Sequence, residues 1–378
     1  MSTSSYSFFV STLLALDYDL GAELERALRE CVSDRVAFCV LDRRLAARRR
    51  EEEIRALGAT RRRDREGSSP LATGREVEPD VGLVMLTSGS SGAPKAVELT
   101  WDALEASARL TNAALRGESA SVWYPVLPAC HIGGLAVILR AIFTEATLLW
   151  GPAEELGVAP ARGATHVSVV RAQLARHDLS AYQRVLLGGA KAPFELAPNV
   201  TTTWGMTETG SGVVYDGVAL AGVEVASVED QLLVKSPTLF RAYRDAPRPR
   251  ATGPDGHDDW FPTGDGGDVD NGHVRVFGRL GNVINTGGEK VWPEALESAL
   301  STVRGVRDVA VTGIDDREWG ERVVALVVGD GTNLDDQIRA RAEESIGPWA
   351  KPKEIRYVAA IPKTSNGKIR RTDLAQLF

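Results

Sequence analysis

Thr87-Ser88-Gly89-Ser90-Ser91-Gly92-Ala93-Pro94-Lys95-Ala96-Val97 is the stretch on which the reading of this chain turns. The short apolar run Val81 to Leu86 precedes it and reads as a buried strand. Glu98-Leu99-Thr100 follows, and a helical pattern starts at Trp101. The stretch is therefore a strand exit built from hydroxyls, glycines and one lysine. Glycine reaches positive φ without strain, so such a loop can close tightly. Its successive N–H groups form a nest for an anion. Ser88, Ser90 and Ser91 add hydroxyl donors and Lys95 adds a positive charge, which together make a polyphosphate cradle. The spacing is not that of a Walker A loop: Gly89, Gly92 and Lys95 fall at other intervals, and Pro94 precedes the lysine. A Ser/Gly loop standing alone is equally a flexible surface turn.

The loop does not stand alone. Thr87 to Val97 resembles the phosphate loop of the adenylate-forming acyl- and aryl-CoA synthetases, a family that includes luciferases and peptide-synthetase adenylation domains. Further stretches resemble that family in the same order. They are Trp204-Gly205-Met206-Thr207-Glu208, Thr263-Gly264-Asp265, Gly278-Arg279 followed by Gly287-Gly288-Glu289, and Pro362-Lys363-Thr364-Ser365-Asn366-Gly367-Lys368. The short chain before the phosphate loop and the stretch around His131 are closest to the o-succinylbenzoate–CoA ligases of menaquinone synthesis.

Composition sets the frame. The chain has 378 residues, enough for two domains or three. Its net charge of −7 gives no reason to expect nucleic acid binding. Cys31, Cys39 and Cys130 lack metal spacing and cannot all pair, which fits a reducing cytoplasm. The apolar run Phe8 to Leu16 is too short to span a membrane, lacks a basic flank and is followed by Asp17 and Asp19. It therefore reads as neither a membrane span nor a signal peptide.

Along the chain, Asp19 is positioned to cap a helix from Gly21 to Arg29, and Arg35 to Leu41 reads as a strand. Leu45 to Leu57 is a charged helix, and Arg61-Arg62-Arg63-Asp64-Arg65 with Gly67-Ser68-Ser69-Pro70 reads as a mobile, solvated linker. From Trp101 onward short strands alternate with helices, the rhythm of α/β layers. In such sheets ligands sit at the carboxyl ends of strands, where the motif loops fall. The fold expected is a large layered α/β domain over residues 1–279 and a smaller, mobile α+β domain over 280–378. Leu280-Gly281-Asn282 marks the boundary, and Pro293 starts a helix to Leu300 at the favoured first position.

The resemblance implies roles residue by residue. Thr87 to Gly92 and Lys95 hold the ATP phosphates. Gly188-Gly189-Ala190 borders adenine, and Trp204 gives it a stacking face where the family more often has tyrosine. Thr207 supplies a hydroxyl near phosphate, and Glu208 is a hard oxygen ligand suited to Mg²⁺. Asp265 accepts the ribose hydroxyls, and Arg279 makes a matching ribose or phosphate contact. Lys368 is the catalytic lysine of adenylation. His131 and Gly205 border the acid pocket, Lys191 is a candidate for a second substrate carboxylate or an exposed lysine, and Arg140 is read as facing structure or solvent. The implied reaction is ATP-dependent ligation of a carboxylic acid to coenzyme A through an acyl-adenylate, with o-succinylbenzoate the favoured acid. Another aryl or acyl substrate, a carrier protein as acceptor, and a non-catalytic binding protein are the alternatives. Intact Lys368, Glu208 and Asp265 speak against the last. Expected partners are small molecules, with no nucleic acid, no membrane insertion and a homodimer left open.

Overall fold

The computed structural model describes residues 12–87, 94–115, 121–189, 196–363 and 369–378. The chain divides into two compact units. The first includes the chain up to Gly189 with Ala197–Val225 and Val234–Phe261; the second includes Ala226–Leu233 and Pro262–Phe378. The architecture is α/β, as the strand and helix rhythm predicts.

In the first unit the apolar run before Asp17 becomes β1 (Leu13–Leu16), buried at every position. Helix α1 (Ala22–Asp34) starts after Gly21 without a side-chain cap. Asp19, expected to cap it, instead pairs with Arg43 at 3.0 Å. β2 (Ala37–Val40) runs parallel to β1. After α2 (Ala47–Leu57), the arginine-rich stretch corrects its reading as a linker. It forms β3 (Arg61–Asp64), parallel to β1, and an antiparallel partner β4 (Gly67–Pro70). The physical reason lies in distant carboxylates. Arg62 meets Asp17 at 2.5 Å, Arg63 meets Glu30, and Arg65 meets Glu23 at 2.6 Å.

β5 (Val81–Thr87) lies parallel to β2, and β6 (Lys95–Thr100) returns antiparallel with Thr87 opposite Lys95. Short strands at 242–243 and 246–247 complete this eight-stranded sheet beyond β6. Helix α3 (Trp101–Ala114) begins at Thr100, whose side chain accepts from the Ala103 N–H at 3.1 Å, a standard N-terminal cap. A second sheet contains β7 (Val122–Trp123), β8 (Thr147–Leu148), β9 (His166–Val170), β10 (Arg184–Gly188), β11 (Val200–Met206) and β12 (Ser211–Tyr215). Their order is β12-β11-β10-β9-β7-β8, parallel except for β12. α4 (Ile132–Thr144), apolar apart from Arg140 and Thr144 and buried from Gly134 to Ala141, packs on α3 and on β8, β9 and β12. Because α3 also touches β5 and β6, these helices fill the space between the sheets.

The second unit is built on a five-stranded sheet. Gly320–Gly329 pairs with Val306–Asp316, with Ile284–Thr286 and, in parallel, with Glu354–Tyr357. Helices Pro293–Leu300 and Leu334–Ser345 cover it, and Leu296, Leu300, Val311, Val323, Val327 and Ile338 share its core. The Pro293 helix has the bounds its sequence predicts, since proline at the first position has no N–H to leave unbonded.

Candidate active site

The hairpin of β5 and β6 carries the quoted stretch. Ser88, Gly89, Ser90, Ser91 and Gly92 lie outside the described residues, as do Ala190, Lys191 and Lys368. Thr87 and Lys95 pair at the ends of β5 and β6, with Thr87 Oγ1 donating to the Lys95 carbonyl at 3.4 Å. The Lys95 side chain is exposed, and its Nζ lies 5.0 Å from the Tyr243 ring centroid, a cation–π contact. Tyr243 stands beside Val97 of β6 and donates its hydroxyl to Glu208 Oε1 at 3.0 Å. The structure thus brings the predicted lysine and the predicted metal carboxylate to one tyrosine.

Glu208 sits in a 3₁₀ turn, Thr207–Thr209, at the carboxyl end of β11. The buried Thr209 hydroxyl fixes that turn by accepting from the Met206 N–H at 2.8 Å and bonding the Ser211 carbonyl at 2.7 Å. Gly205 has a structural reason to be glycine. A Cβ there would meet the Ser211 carbonyl oxygen at 2.1 Å, and the β11–β12 register shifts between Trp204 and Gly205. Trp204 and Thr207 are half-buried on either side of it. Gly188 ends β10, and Gly189 follows at φ +83°, where a side chain would be strained. One carboxylate with an adjacent hydroxyl suits Mg²⁺, which prefers few protein oxygens and takes the rest from water and phosphate.

The acid-binding calls fall on α4. His131 precedes its first residue but does not cap it with its side chain. Its Nε2 instead lies 3.3 Å from Arg44 Nη2. Arg44 forks onto Asp42 through Nε and Nη2, each at 2.7 Å, and that pairing holds the Asp42 carboxyl below its usual range. Arg140 faces structure, one of its two sequence readings. It is 3% exposed, its guanidinium carbon is 4.5 Å from the Trp123 ring centroid, and Nε and Nη1 have no hydrogen-bond partner among the described residues. Burial pushes its pKa down. Trp123 Nε1 and His166 Nε2 are likewise buried and unpartnered, and the His166 ring lies 4.9 Å from Trp123. Burial, with the Arg140 and Arg184 charges behind it, lowers the His166 pKa to about 4. Buried polar atoms are nearly always satisfied, so such a group needs an explanation. A signal for Arg140 was present: it is the one charged residue in an otherwise apolar helix.

In the second unit, Asp265 and Arg279 face each other across strands Phe261–Asp270 and His273–Arg279 and form an ion pair at 2.9 Å. Asp265 is buried, and its N–H donates to Thr263 Oγ1 at 3.1 Å. Gly264 between them has φ +72°. Gly287 and Gly288, both at positive φ, close the hairpin of Ile284–Thr286 and Glu289–Val291, as two-residue hairpin turns require. Residues 364–368 are flanked by a Lys363–Ile369 bridge and by the Arg370 N–H donating to the Pro362 carbonyl at 2.9 Å. Arg371 then reaches Glu297 at 2.8 Å, and burial raises the Glu297 pKa to about 7.

Residues 20–234 match the family model described as AMP-binding enzyme, and residues 295–368 match that of the AMP-binding enzyme C-terminal domain. A Mycobacterium tuberculosis (strain CDC 1551 / Oshkosh) protein named "Probable 2-succinylbenzoate--CoA ligase" is 34% identical over 82% of this chain and 87% of its own length. The 2-succinylbenzoate–CoA ligase of Listeria monocytogenes serotype 4b (strain F2365) is 31% identical over 78% of this chain and 69% of its own. The solved structure of O-succinylbenzoate coenzyme A synthetase from Bacillus subtilis, in complex with ATP and magnesium ion, superposes with a TM-score of 0.82. It is 22% identical and covers 96% of this chain and 89% of that one. Among the described residues no helix is long and apolar enough to cross a membrane. By these matches over both parts of its length, the chain belongs to the AMP-binding enzymes.

Proposed function

We propose that this protein is an ATP-dependent carboxylate–CoA ligase acting on o-succinylbenzoate through its acyl-adenylate. The observation that carries the choice of acid is Arg140. A guanidinium stays charged at any ordinary pH, so burying it without an anion is costly. A dicarboxylic acid leaves one carboxylate over when the other reacts, and that group would neutralise Arg140. The relatives named above carry such a diacid in their names. Nine residues of helix rise about 13 Å. In this reading His131 borders the acid pocket at the start of α4, and Arg140 lies one such rise further along the same helix.

In the first step the reacting carboxylate attacks the α-phosphorus of ATP and pyrophosphate leaves. Charge builds on phosphoryl oxygens, so positioned cations and donors matter more than a base. Lys368, Lys95, Thr207 and the donors of Thr87 to Gly92 take that role, and Trp204, Gly188, Gly189 and Ala190 hold the base. Asp265 and Arg279 serve the ribose. Glu208 would hold Mg²⁺, which supplies charge neutralisation on the phosphates. In the second step the thiol of coenzyme A displaces AMP. The functional boundary lies at 279/280, and residues 280–378 turn about Gly281 between the steps. Unpaired Cys31, Cys39 and Cys130 suit a cytoplasmic enzyme, and a homodimer is compatible with this reading.

The test is pyrophosphate release over a panel of acids, with and without coenzyme A. O-succinylbenzoate should exceed its analogue lacking the second carboxylate on the order of 100-fold in kcat/KM, because a site built for a polar group rejects ligands without it. Equal rates for both would remove the diacid from the reading. Release without any coenzyme A thioester would point to a different acyl acceptor.

A further inference from the structure

Arg44 and His131 are 87 positions apart, yet Arg44 Nη2 lies 3.3 Å from His131 Nε2. Arginine has only donors, so in this contact Nε2 accepts. A neutral imidazole that accepts at Nε2 carries its proton on Nδ1. The arginine is itself held. Asp42 takes its Nε and Nη2 at 2.7 Å each and also accepts the Arg44 backbone N–H at 3.0 Å. The Asp42 N–H in turn donates to Glu53 Oε2 at 3.1 Å, so α2 anchors the arrangement just past the carboxyl end of β2. Asp42, Cys130 and His131 bring an oxygen, a sulfur and a nitrogen within 4.8 Å of one another, a set that resembles a metal site. The Arg44 guanidinium touches all three, with Cys130 Sγ at 3.7 Å, and burial pushes the Cys130 thiol up to about 12. The cation that serves this cluster is therefore the arginine.

We infer that Arg44, seated on Asp42, is a positioning residue that pins His131 as its Nδ1–H tautomer. The ring proton then sits on Nδ1, the nitrogen that Arg44 does not touch. A substrate carboxylate can only accept, so this tautomer suits an acid where the other would present a lone pair. The inference rests on the proposed place of His131 at the acid pocket.

Imidazole ¹⁵N spectra test it directly, since the chain has 5 histidines and His131→Gln assigns the resonance. The wild type should show the Nδ1–H pattern at His131. Arg44→Met should move it toward the Nε2–H form that free imidazole side chains favour, and Arg44→Lys should restore part of the original pattern. In pyrophosphate release, Arg44→Met should raise the KM for the acid roughly tenfold, the worth of one charge-assisted hydrogen bond, with the KM for ATP unchanged. Arg44→Met combined with His131→Gln should behave like His131→Gln alone. An unchanged tautomer in Arg44→Met, or multiplying effects in the double variant, would overturn the inference. A tautomer shift while His131→Gln leaves the acid KM unchanged would uphold the Arg44–His131 link and remove His131 from the acid pocket.

Discussion

The Tyr243 hydroxyl donates to Glu208 Oε1 at 3.0 Å, joining a strand beside β6 to the turn after β11. Tyr243→Phe removes that hydrogen bond and keeps the ring face on which Lys95 rests. Groups that orient a metal carboxylate are worth roughly 10- to 100-fold in metal affinity. The Mg²⁺ concentration for half-maximal pyrophosphate release should rise by about tenfold in this variant, with the KM for the acid unmoved. Mn²⁺ binding followed by electron paramagnetic resonance in the presence of a non-hydrolysable ATP analogue should weaken in parallel.

Arg140→Met should separate stability from function. Replacing a buried charge by an apolar residue of similar size is often neutral or stabilising, and the cation–π contact with Trp123 offsets part of that gain. The urea midpoint should hold or rise, while kcat/KM for the diacid falls on the order of 100-fold. A monoacid substrate should lose little. A large loss of stability together with an unchanged preference for the diacid would make Arg140 a structural residue.

His166 makes stability depend on pH. Its folded pKa, about 4, lies below the ordinary histidine value, so the unfolded chain takes up a proton that the folded chain refuses. The stability it contributes is present above about pH 6.5 and is lost as pH falls toward 4, by about 3 kcal/mol at most. Urea unfolding between pH 7 and pH 4.5 should therefore be flatter for His166→Gln than for the wild type. Arg140→Met should flatten it partly, because the Arg140 charge is one cause of the shift.

Lys368→Ala should cripple pyrophosphate release by roughly 10²–10³, the usual cost of one donor placed for a transition state. Thioester formation from pre-made acyl-adenylate should be largely spared. Equal loss of both half-reactions would remove the lysine from adenylation.

Gly281→Pro addresses the pivot. A side chain at Gly281 would meet nothing within 4 Å, and the residue lies in the short turn Leu280–Asn282. Proline fixes its φ and restricts Leu280 before it, so the turn loses conformational freedom. Pyrophosphate release should survive while thioester formation collapses. Wild-type rates in both half-reactions would move the pivot elsewhere.

What the sequence made legible was local. Val81–Leu86 and Pro293–Leu300 were recognisable because burial and proline act on neighbours in the chain. The helix from Trp101 was recognisable for the same reason, though its Thr100 cap was not singled out. The relationships that escaped are between distant positions. Tyr243 and Glu208 are 35 apart, Arg44 and His131 87 apart, and nothing in either neighbourhood announces its partner. Arg140 was legible in part: facing structure was one of its two readings, and choosing it needs Trp123, which the sequence does not place beside it.

The hairpin Arg61–Asp64 and Gly67–Pro70 ends the eight-stranded sheet, and β4 is exposed throughout. An open strand edge offers unpaired backbone groups to any other strand, including that of a second copy. Here the outermost strand is Gly-Ser-Ser-Pro, short and with proline as its one apolar side chain, and the strand behind it is three arginines and an aspartate. The arginine run, behind a short polar outer strand, makes an edge of the kind that discourages strand pairing. Its acidic partners anchor it to the fold, and its length leaves no room for a stable intruding strand. Replacing Ser68 and Ser69 by valine would extend an apolar, β-favouring surface to the rim, and light scattering should report clustering that the native edge resists.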